Sequence, residues 1–296
     1  MQLDDLKIFV ATVDARNFTA AAERLQLSKQ FVSRRVMALE ASLDVRLLVR
    51  NTRKLAVTDL GYEFYERASR ILAELADAEQ AMSSRRAYPR GLLRISAPLS
   101  FGMVHLSPLV GAFLSSNPEV RIDIELSDRV VDVVGEGYDM ALRIGTLADS
   151  TLIAQKLAEV RMVACCSPVY RDTRRLPMTP ADLVRHPCLL YGEETRSGWR
   201  FEVEGVVRGI EVHGPLRANN GEVLRDAAMA GIGIALLPEF IVADALASGR
   251  LIEVLEQFVS PPLTLYAVYP QHRQSSVTIR AFTQFLRERF AQTADA

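Results

Sequence analysis

Apolar residues in the first part of the chain fall at helical intervals. Leu3, Leu6, Phe9, Val10 and Val13 predict a first helix, and Asn17-Phe18-Thr19 breaks the pattern, with Thr19 placed to cap a second helix over 20–25. Gln26-Leu27 leaves room only for a tight connection, and Ser28 suits the cap of a third helix reaching about Ser42. Helices joined this closely read as a helix-turn-helix. On the third helix Val32, Val36 and Leu39 share one face, while Gln30, Ser33, Arg34 and Met37 fall on or toward the other. Leu47-Leu48-Val49 and Leu55-Ala56-Val57 flank a basic turn, Arg50-Asn51-Thr52-Arg53-Lys54, which predicts a small hairpin, a wing.

A long helix follows, with Thr58 as a plausible cap and Tyr88-Pro89 as its stop. Phe64, Ala68, Ile71, Leu75, Ala78 and Met82 form a narrow heptad seam on it. A helix packed into its own core shows a wider apolar stripe, so the seam favours pairing of two helices, a dimer. From Gly91 onward short apolar strands alternate with helices: LLRIS, a helix from Pro108 to Ser116, VRIDIEL, a short helix near Val130 to Gly135, and DMALRIG. MVACC, LLYG, WRFEVE, RGIEVHG, GIALLP and LTLYAVYP continue the strands, with helices at PADLVRH, 222–230, 239–247 and about 276–290. This rhythm predicts parallel sheets covered by helices, in two α/β lobes.

Net charge is −1 over 296 residues, but the charge is unevenly placed. Between Ser28 and Lys54 stand Lys29, Arg34, Arg35, Arg46, Arg50, Arg53 and Lys54 against only Glu40 and Asp44, a local excess of five positive charges. Such a patch is the footprint of a phosphate-binding surface. Asp4 and Asp5 stand where a signal peptide carries positive charge, and the apolar run 231–247 is broken by Pro238, Glu239 and Asp244. A soluble, cytoplasmic protein with no membrane partner is expected. Cys165 and Cys166 are neighbours on a strand and point to opposite faces, so buried structural thiols are expected for them and for Cys188.

Catalysis finds little support. His105, His186, His213 and His272 are scattered, no HExxH, GxSxG or P-loop occurs, and Gly231-Ile232-Gly233 is a fragment of a dinucleotide fingerprint in the wrong context. No catalytic residue, metal site or cofactor is expected. A free-standing solute-binding protein accounts for two α/β lobes but not for the basic N-terminal unit.

The segment FTAAAERLQLSKQFVSRRVMALEASLDVRLLVRNTRKLAVTDLG, with LLRISAPLSFG, EGYDMALRIG and AGIGIALLP further on, resembles the LysR-type transcriptional regulators over essentially the whole chain. The resemblance implies an α/β protein with an N-terminal winged helix-turn-helix (1–58), a long linker and dimerisation helix (59–88), and a bilobed effector domain (89–296) like the periplasmic binding proteins. Lobe I takes about 91–160 and 267–296, and lobe II about 161–266. It also implies double-stranded promoter DNA, a small-molecule effector, further copies of the chain (dimers, frequently tetramers) and RNA polymerase as partners.

Gln30, Ser33 and Arg34 have side chains able to bond base edges and match family positions that contact DNA, and Ser28 and Lys29 beside them are further candidate DNA-binding residues. Gln30 and Phe31 stand where the family commonly has proline and a small residue, so the resemblance does not carry over which bases those positions read. Phe31 suits packing into the small domain better than a thymine methyl contact, and Arg35 suits a phosphate or an internal carboxylate. Arg50, Arg53 and Lys54 suit phosphate or minor-groove contact.

In the periplasmic-binding-protein fold the ligand lies at strand ends between lobes. That places Leu99, Ser100, Phe101, Ser127, Arg143, Gly145, Thr146, Asn219 and Asn220 as candidate effector-binding residues, each of which also suits turn or cap chemistry. Hydroxyls and helix ends favour an anionic ligand such as a carboxylate, with Arg143 to pair with it. Trp199 suits the crevice border or, as a lone tryptophan more often does, the core.

Overall fold

The structure, a computed structural model, describes residues 1–51, 54–82, 88–147, 150–192 and 198–294. It divides into two compact units, Met1–Ala87 and Tyr88–Ala296. The first unit contains helices α1 (Leu3–Ala15), α2 (Phe18–Leu25) and α3 (Lys29–Leu43), strands β1 (Leu48–Asn51) and β2 (Lys54–Val57), and helix α4 (Asp59–Met82). Phe9, Ala21, Val32, Val36, Leu39, Leu47 and Leu48 form its core. The cap of α2 is Asn17 rather than Thr19: Asn17 Oδ1 accepts the Thr19 N–H at 2.7 Å. Thr19 is therefore already inside the helix.

The β1–β2 pairing sets Asn51 opposite Lys54, so the strands run further toward the reversal than the sequence suggests, while Thr52 and Arg53 lie outside the described residues. Thr58 caps α4 as expected, its Oγ1 accepting the Gly61 N–H at 2.9 Å. Gly61 has no alternative here, because a Cβ on it would stand 2.0 Å from the Leu47 carbonyl oxygen.

The second unit holds two five-stranded sheets. In chain order come β3 (Gly91–Ala97), α5 (Leu99–Phe101), a π turn (Gly102–Leu106), α6 (Ser107–Ser116), β4 (Val120–Leu126), β5 (Met140–Ile144), β6 (Leu152–Val160), β7 (Met162–Cys166) and α7 (Pro168–Thr173). A 3-10 turn (Pro180–Arg185), β8 (Cys188–Tyr191), the hairpin β9 (Gly198–Val203) and β10 (Val206–Glu211), β11 (Leu216–Ala218) and α8 (Gly221–Met229) follow. Last are β12 (Ile234–Pro238), α9 (Glu239–Ala247), β13 (Ile252–Glu253), β14 (Leu263–Pro270) and α10 (Val277–Ala294).

The sheet of lobe I runs β4-β3-β5-β14-β6 and that of lobe II runs β11-β8-β12-β7-β13. Neither is purely parallel as the sequence suggested. β14 lies antiparallel to both β5 and β6, and β12 and β13 lie antiparallel to β7. The chain crosses between lobes after β6 and again before β14. Leu263 already pairs with Val160, so lobe I resumes at 263 rather than 267.

Two further expectations are corrected. No helix forms over 130–135, where Asp132 and Glu136 carboxylates accept the backbone N–H groups of Gly135 and Asp132 and hold turns instead. β6 went unassigned in the sequence because it is an edge strand with a Lys156–Glu159 pair on its exposed side. The helical run 99–116 is long and apolar enough by composition to cross a bilayer, yet Phe101, Leu106 and Phe113 from it are buried in the lobe I core.

That core is closed by α10, whose Phe282 meets Phe113 edge-on at 4.9 Å. Beneath it lies a buried ion pair. Asp139, at the start of β5, accepts the Arg94 N–H of β3 through Oδ2 and the Arg273 guanidinium through Oδ1, both at 2.8 Å. Removing one partner of a buried pair leaves a charge that the interior cannot solvate. Arg273→Ala should therefore lower unfolding stability by about 3–5 kcal/mol, read as a shift in urea midpoint of the full chain. An unchanged midpoint contradicts the role given to the pair.

Candidate functional site

Helix α3 owes its orientation to its inner side. Arg35 Nη2 lies 2.6 Å from Asp5 Oδ1 and 3.0 Å from Gln2 Oε1, tying α3 to the start of α1. Of the two roles open to Arg35, the internal carboxylate is the one the structure has. Glu40 Oε1 accepts the N–H groups of Leu47 and Leu48 at 2.9 and 3.0 Å and so fixes the entry to the wing. The sequence reading gave Glu40 no role, although it is one of only two acids, with Asp44, inside a basic stretch.

With those anchors in place, Lys29, Gln30, Arg34 and Met37 are exposed together on the far side of α3, and Ser33 is half-buried at its edge. Ser28 caps the helix, its Oγ accepting the Phe31 N–H at 3.2 Å. Phe31 does not pack inward: it is 41% exposed on the flank of the helix. The reason is register, since Val32 and Val36 fill the inner face completely. Of the wing candidates, Arg50 and Lys54 lie in β1 and β2, and Arg53 lies outside the described residues.

On α4 the heptad seam divides. Phe64 is half-buried against Phe9, ring centres 5.4 Å apart, and Ala68 is buried. Ile71 is 47% exposed and Leu75 half-buried, while the side chains of Ala78 and Met82 fall outside the described residues.

In the second unit a cavity of about 330 Å³ opens between the two sheets. Ser100, Phe101 and Arg143 line it. Leu99, Ser127, Gly145, Thr146, Asn219 and Asn220 are not among its lining residues, and several do local work. Ser127 Oγ accepts the Arg129 N–H, Asn220 Oδ1 caps α8 at Val223, and Gly145 sits at a φ of 138°. Trp199 is both core and wall, buried among lobe II residues with an edge on the cavity. Asp128, Tyr191, Met162, Leu236, Phe240 and Ile241 complete much of the lining and were absent from the sequence reading.

Arg143 is the cavity's cation. Its Nη1 donates to the Arg129 carbonyl at 3.0 Å, and its Nη2 is buried without a hydrogen-bond partner. Burial, helped by the neighbouring Arg129 charge, lowers its pKa. Arg129 in turn is held by Glu136 and Glu125, and Glu136 is drawn down to about 2 by that guanidinium. Ser100 Oγ donates to Glu222 Oε2 at 2.5 Å, a bond from lobe I to lobe II. Phe240 of lobe II stands against Phe101 and His105 of lobe I at 6.1 and 5.1 Å. Burial lowers the His105 pKa, which keeps the ring neutral among these aromatics.

The model of the lysR family of bacterial regulatory helix-turn-helix proteins matches residues 3–62, and the LysR substrate binding domain matches residues 86–291. The chain is 35% identical to the HTH-type transcriptional regulator DmlR of Escherichia coli (strain K12), over 98% of this chain and 95% of that one. It is 37% identical to PtxR of Pseudomonas aeruginosa, over 97% and 93%. The crystallised LysR-type regulator CrgA from Neisseria meningitidis superposes with a TM-score of 0.60 at 32% identity, covering 98% of this chain and 99% of that one. The full-length Vibrio cholerae virulence activator AphB gives 0.58 at 30% identity, over 97% and 98%. This chain is a LysR-type transcriptional regulator. Its two units are the helix-turn-helix DNA-binding part and the effector-binding part of that family, and regulators of the family bind promoter DNA and small-molecule effectors and form oligomers.

Among the described residues of the regulator no three His, Cys, Asp or Glu side chains come together as metal ligands. Its cysteines are all buried and unpaired. Burial pushes the thiols of Cys165 and Cys188 up to about 12 and that of Cys166 up to about 11, so the thiolate is scarce near neutral pH. At pH 8 Ellman's reagent should leave the folded regulator unlabelled and react fully once urea unfolds it. Fast labelling of the folded protein would contradict this burial.

Proposed function

We propose that this regulator reads promoter DNA through the outer face of α3, with Gln30, Ser33 and Arg34 at base edges and Ser28 and Lys29 at the adjoining phosphates. Arg50, Arg53 and Lys54 of the wing neutralise backbone phosphates. The observation that carries this reading is the exposed polar face of α3, held outward by the Arg35–Asp5 pair. The division proposed is 1–58 for DNA binding, 59–88 for linkage and dimerisation, and 89–296 for effector binding. Pairing of α4 uses the exposed part of its seam, Ile71 and Leu75, with Ala78 and Met82 beyond, since Phe64 and Ala68 are engaged within their own unit.

The effector occupies the cavity between the lobes and presents a carboxylate to Arg143. The regulator acts in the cytoplasm without chemistry of its own, and RNA polymerase is its downstream partner. Support for the cavity assignment is the buried Arg143 nitrogen with no acceptor in a predominantly apolar chamber, a group whose unmet hydrogen bond a ligand relieves.

Arg34→Ala should weaken binding to a duplex site selected from random DNA by about 1–3 kcal/mol and relax preference at one base pair, as expected for a bidentate base contact. Arg53→Ala should weaken selected and scrambled duplexes alike. Gel-shift titration of both variants decides between base and backbone roles, and wild-type affinity in Arg34→Ala contradicts the α3 assignment. Leu75→Asp, which places a carboxylate on the seam, should convert dimers to monomers in light scattering of the full chain. Retention of the dimer in that variant puts the α4 pairing elsewhere.

A further inference from the structure

We propose that the effector of this regulator is amphoteric: a small α-amino acid, or a molecule of that charge pattern, whose apolar side chain fills the cavity while its carboxylate meets Arg143 and its ammonium meets Asp128. The inference rests on the reading of the inter-lobe cavity as the sensing site.

A simple anion finds the usual anion-binding groups already taken by the protein's own carboxylates. At the start of the helical run 99–116 the Leu99 N–H donates to Asp128 Oδ1 at 3.0 Å. At the start of α8 the Asn220 side chain caps Val223, and Glu222 in the first turn takes the Ser100 hydroxyl. Helix N-termini favour negative charge, and here two side chains supply it before any ligand arrives. Ser100, which the sequence assigns to the ligand, is thus committed to Glu222.

What remains unmet is one group of each sign. Arg143 has a buried Nη2 with no acceptor. Asp128 lines the same cavity, uses Oδ1 on Leu99, and shows no hydrogen bond at Oδ2 among the described residues. The two are close enough for the Asp128 charge to be felt at Arg143. Burial, with the smaller influence of Asp128 and Glu222, raises the pKa of Tyr191 on the opposite lobe and keeps its phenol protonated. A ligand with only a carboxylate satisfies Arg143 but faces Asp128 across a low-dielectric space, and one with only an amine does the reverse. A ligand carrying both matches both. The rest of the wall, including Phe101, Trp199, Leu236, Phe240 and Ile241, is apolar and asks for an aliphatic or aromatic side chain. A volume of about 330 Å³ suits a molecule of that size.

Trp199 is the chain's single tryptophan and stands at the cavity, so its fluorescence reports occupancy directly. The experiment titrates the full-length protein with each common apolar L-amino acid. Those that bind are compared with their N-acetyl derivatives, which lack the cation, and their methyl esters, which lack the carboxylate. At least one amino acid should shift the Trp199 signal, and loss of either charge should weaken binding by about tenfold or more, because the buried Arg143 nitrogen is left unpaired in one case and the Asp128 carboxylate loses its counter-charge in the other. Asp128→Asn, which keeps a carbonyl oxygen for the Leu99 N–H, should weaken the amino acid but not its N-acetyl derivative. Arg143→Gln should weaken the amino acid but not its methyl ester. An N-acetyl derivative that binds wild-type protein as tightly as its parent overturns the amphoteric assignment while leaving the cavity as the sensor. An amino acid that binds with this charge pattern yet leaves affinity for the selected duplex unchanged supports the assignment and overturns the sensing role. No response of Trp199 to any amino acid overturns the proposal.

Discussion

Asp139 has to be an anion inside a protein, and much of the effector unit is arranged around that requirement. A buried carboxylate is tolerated only when its charge and lone pairs are met. Here one oxygen takes the backbone N–H of Arg94 in β3 and the other the guanidinium of Arg273, with the Asp139 N–H returned to the Arg94 carbonyl. Three parts of the chain distant in sequence, β3, the start of β5 and the turn leading into α10, are thereby fixed at one point. The far ends of β3 and β5 are where the chain delivers Ser100, Phe101 and Arg143 to the cavity. A group at one end of the strands sets the position of groups at the other, because strands are stiff and the sheet register admits no partial slip.

The DNA-binding unit uses the same device on a smaller scale. Its core is small, and Val32, Val36 and Leu39 alone fix which face of α3 turns inward without fixing where along the helix the neighbours sit. Arg35 against Asp5 sets the position of α3 on α1, and Glu40 against the Leu47 and Leu48 N–H groups sets the wing on α3. Both groups are charged residues of α3 whose partners lie within the protein. The local excess of positive charge in the sequence therefore overstates what is available to phosphates, since Arg35 is neutralised inside the protein. What it leaves is a more selective surface: Lys29, Gln30, Phe31, Arg34 and Met37 exposed side by side, two of them apolar.

Local chemistry was legible in the sequence where it was decided locally. Ser28 and Thr58 were recognised as caps because capping depends on three or four consecutive residues, and α3 and the hairpin followed from periodicity. Asn17 was missed in favour of Thr19 because both are capping residues and only the surrounding turn distinguishes them. The antiparallel β14 and the edge strand β6 were not legible, since strand direction is set by where the chain crosses between lobes rather than by composition. The cavity was the least legible part. Strand-end reasoning found Ser100, Phe101 and Arg143, but Asp128, Tyr191 and Phe240 meet only through the packing of two lobes, and no short-range pattern announces that. Several residues that the same reasoning offered, such as Asn220 and Ser127, turned out to hold backbone N–H groups, the ordinary employment of polar residues at element ends.

The cavity is also where the lobes hold one another. Ser100 to Glu222, and Phe101 and His105 to Phe240, are contacts across the cleft, and every one of them belongs to or borders the cavity wall. The neutral state of His105 keeps the aromatic contact apolar, and the short Ser100–Glu222 bond spends a buried hydroxyl on the partner lobe instead of on a ligand. The lobes therefore satisfy most of the cleft's polar groups with their own side chains. A ligand alters their arrangement only to the extent that it binds one spacing of the lobes better than another. The groups able to create such a difference are those the two lobes leave unsatisfied, and in the proposed site Arg143 of lobe I, with an acceptorless nitrogen in a cavity whose wall both lobes share, is a group through which a bound molecule would draw the lobes together.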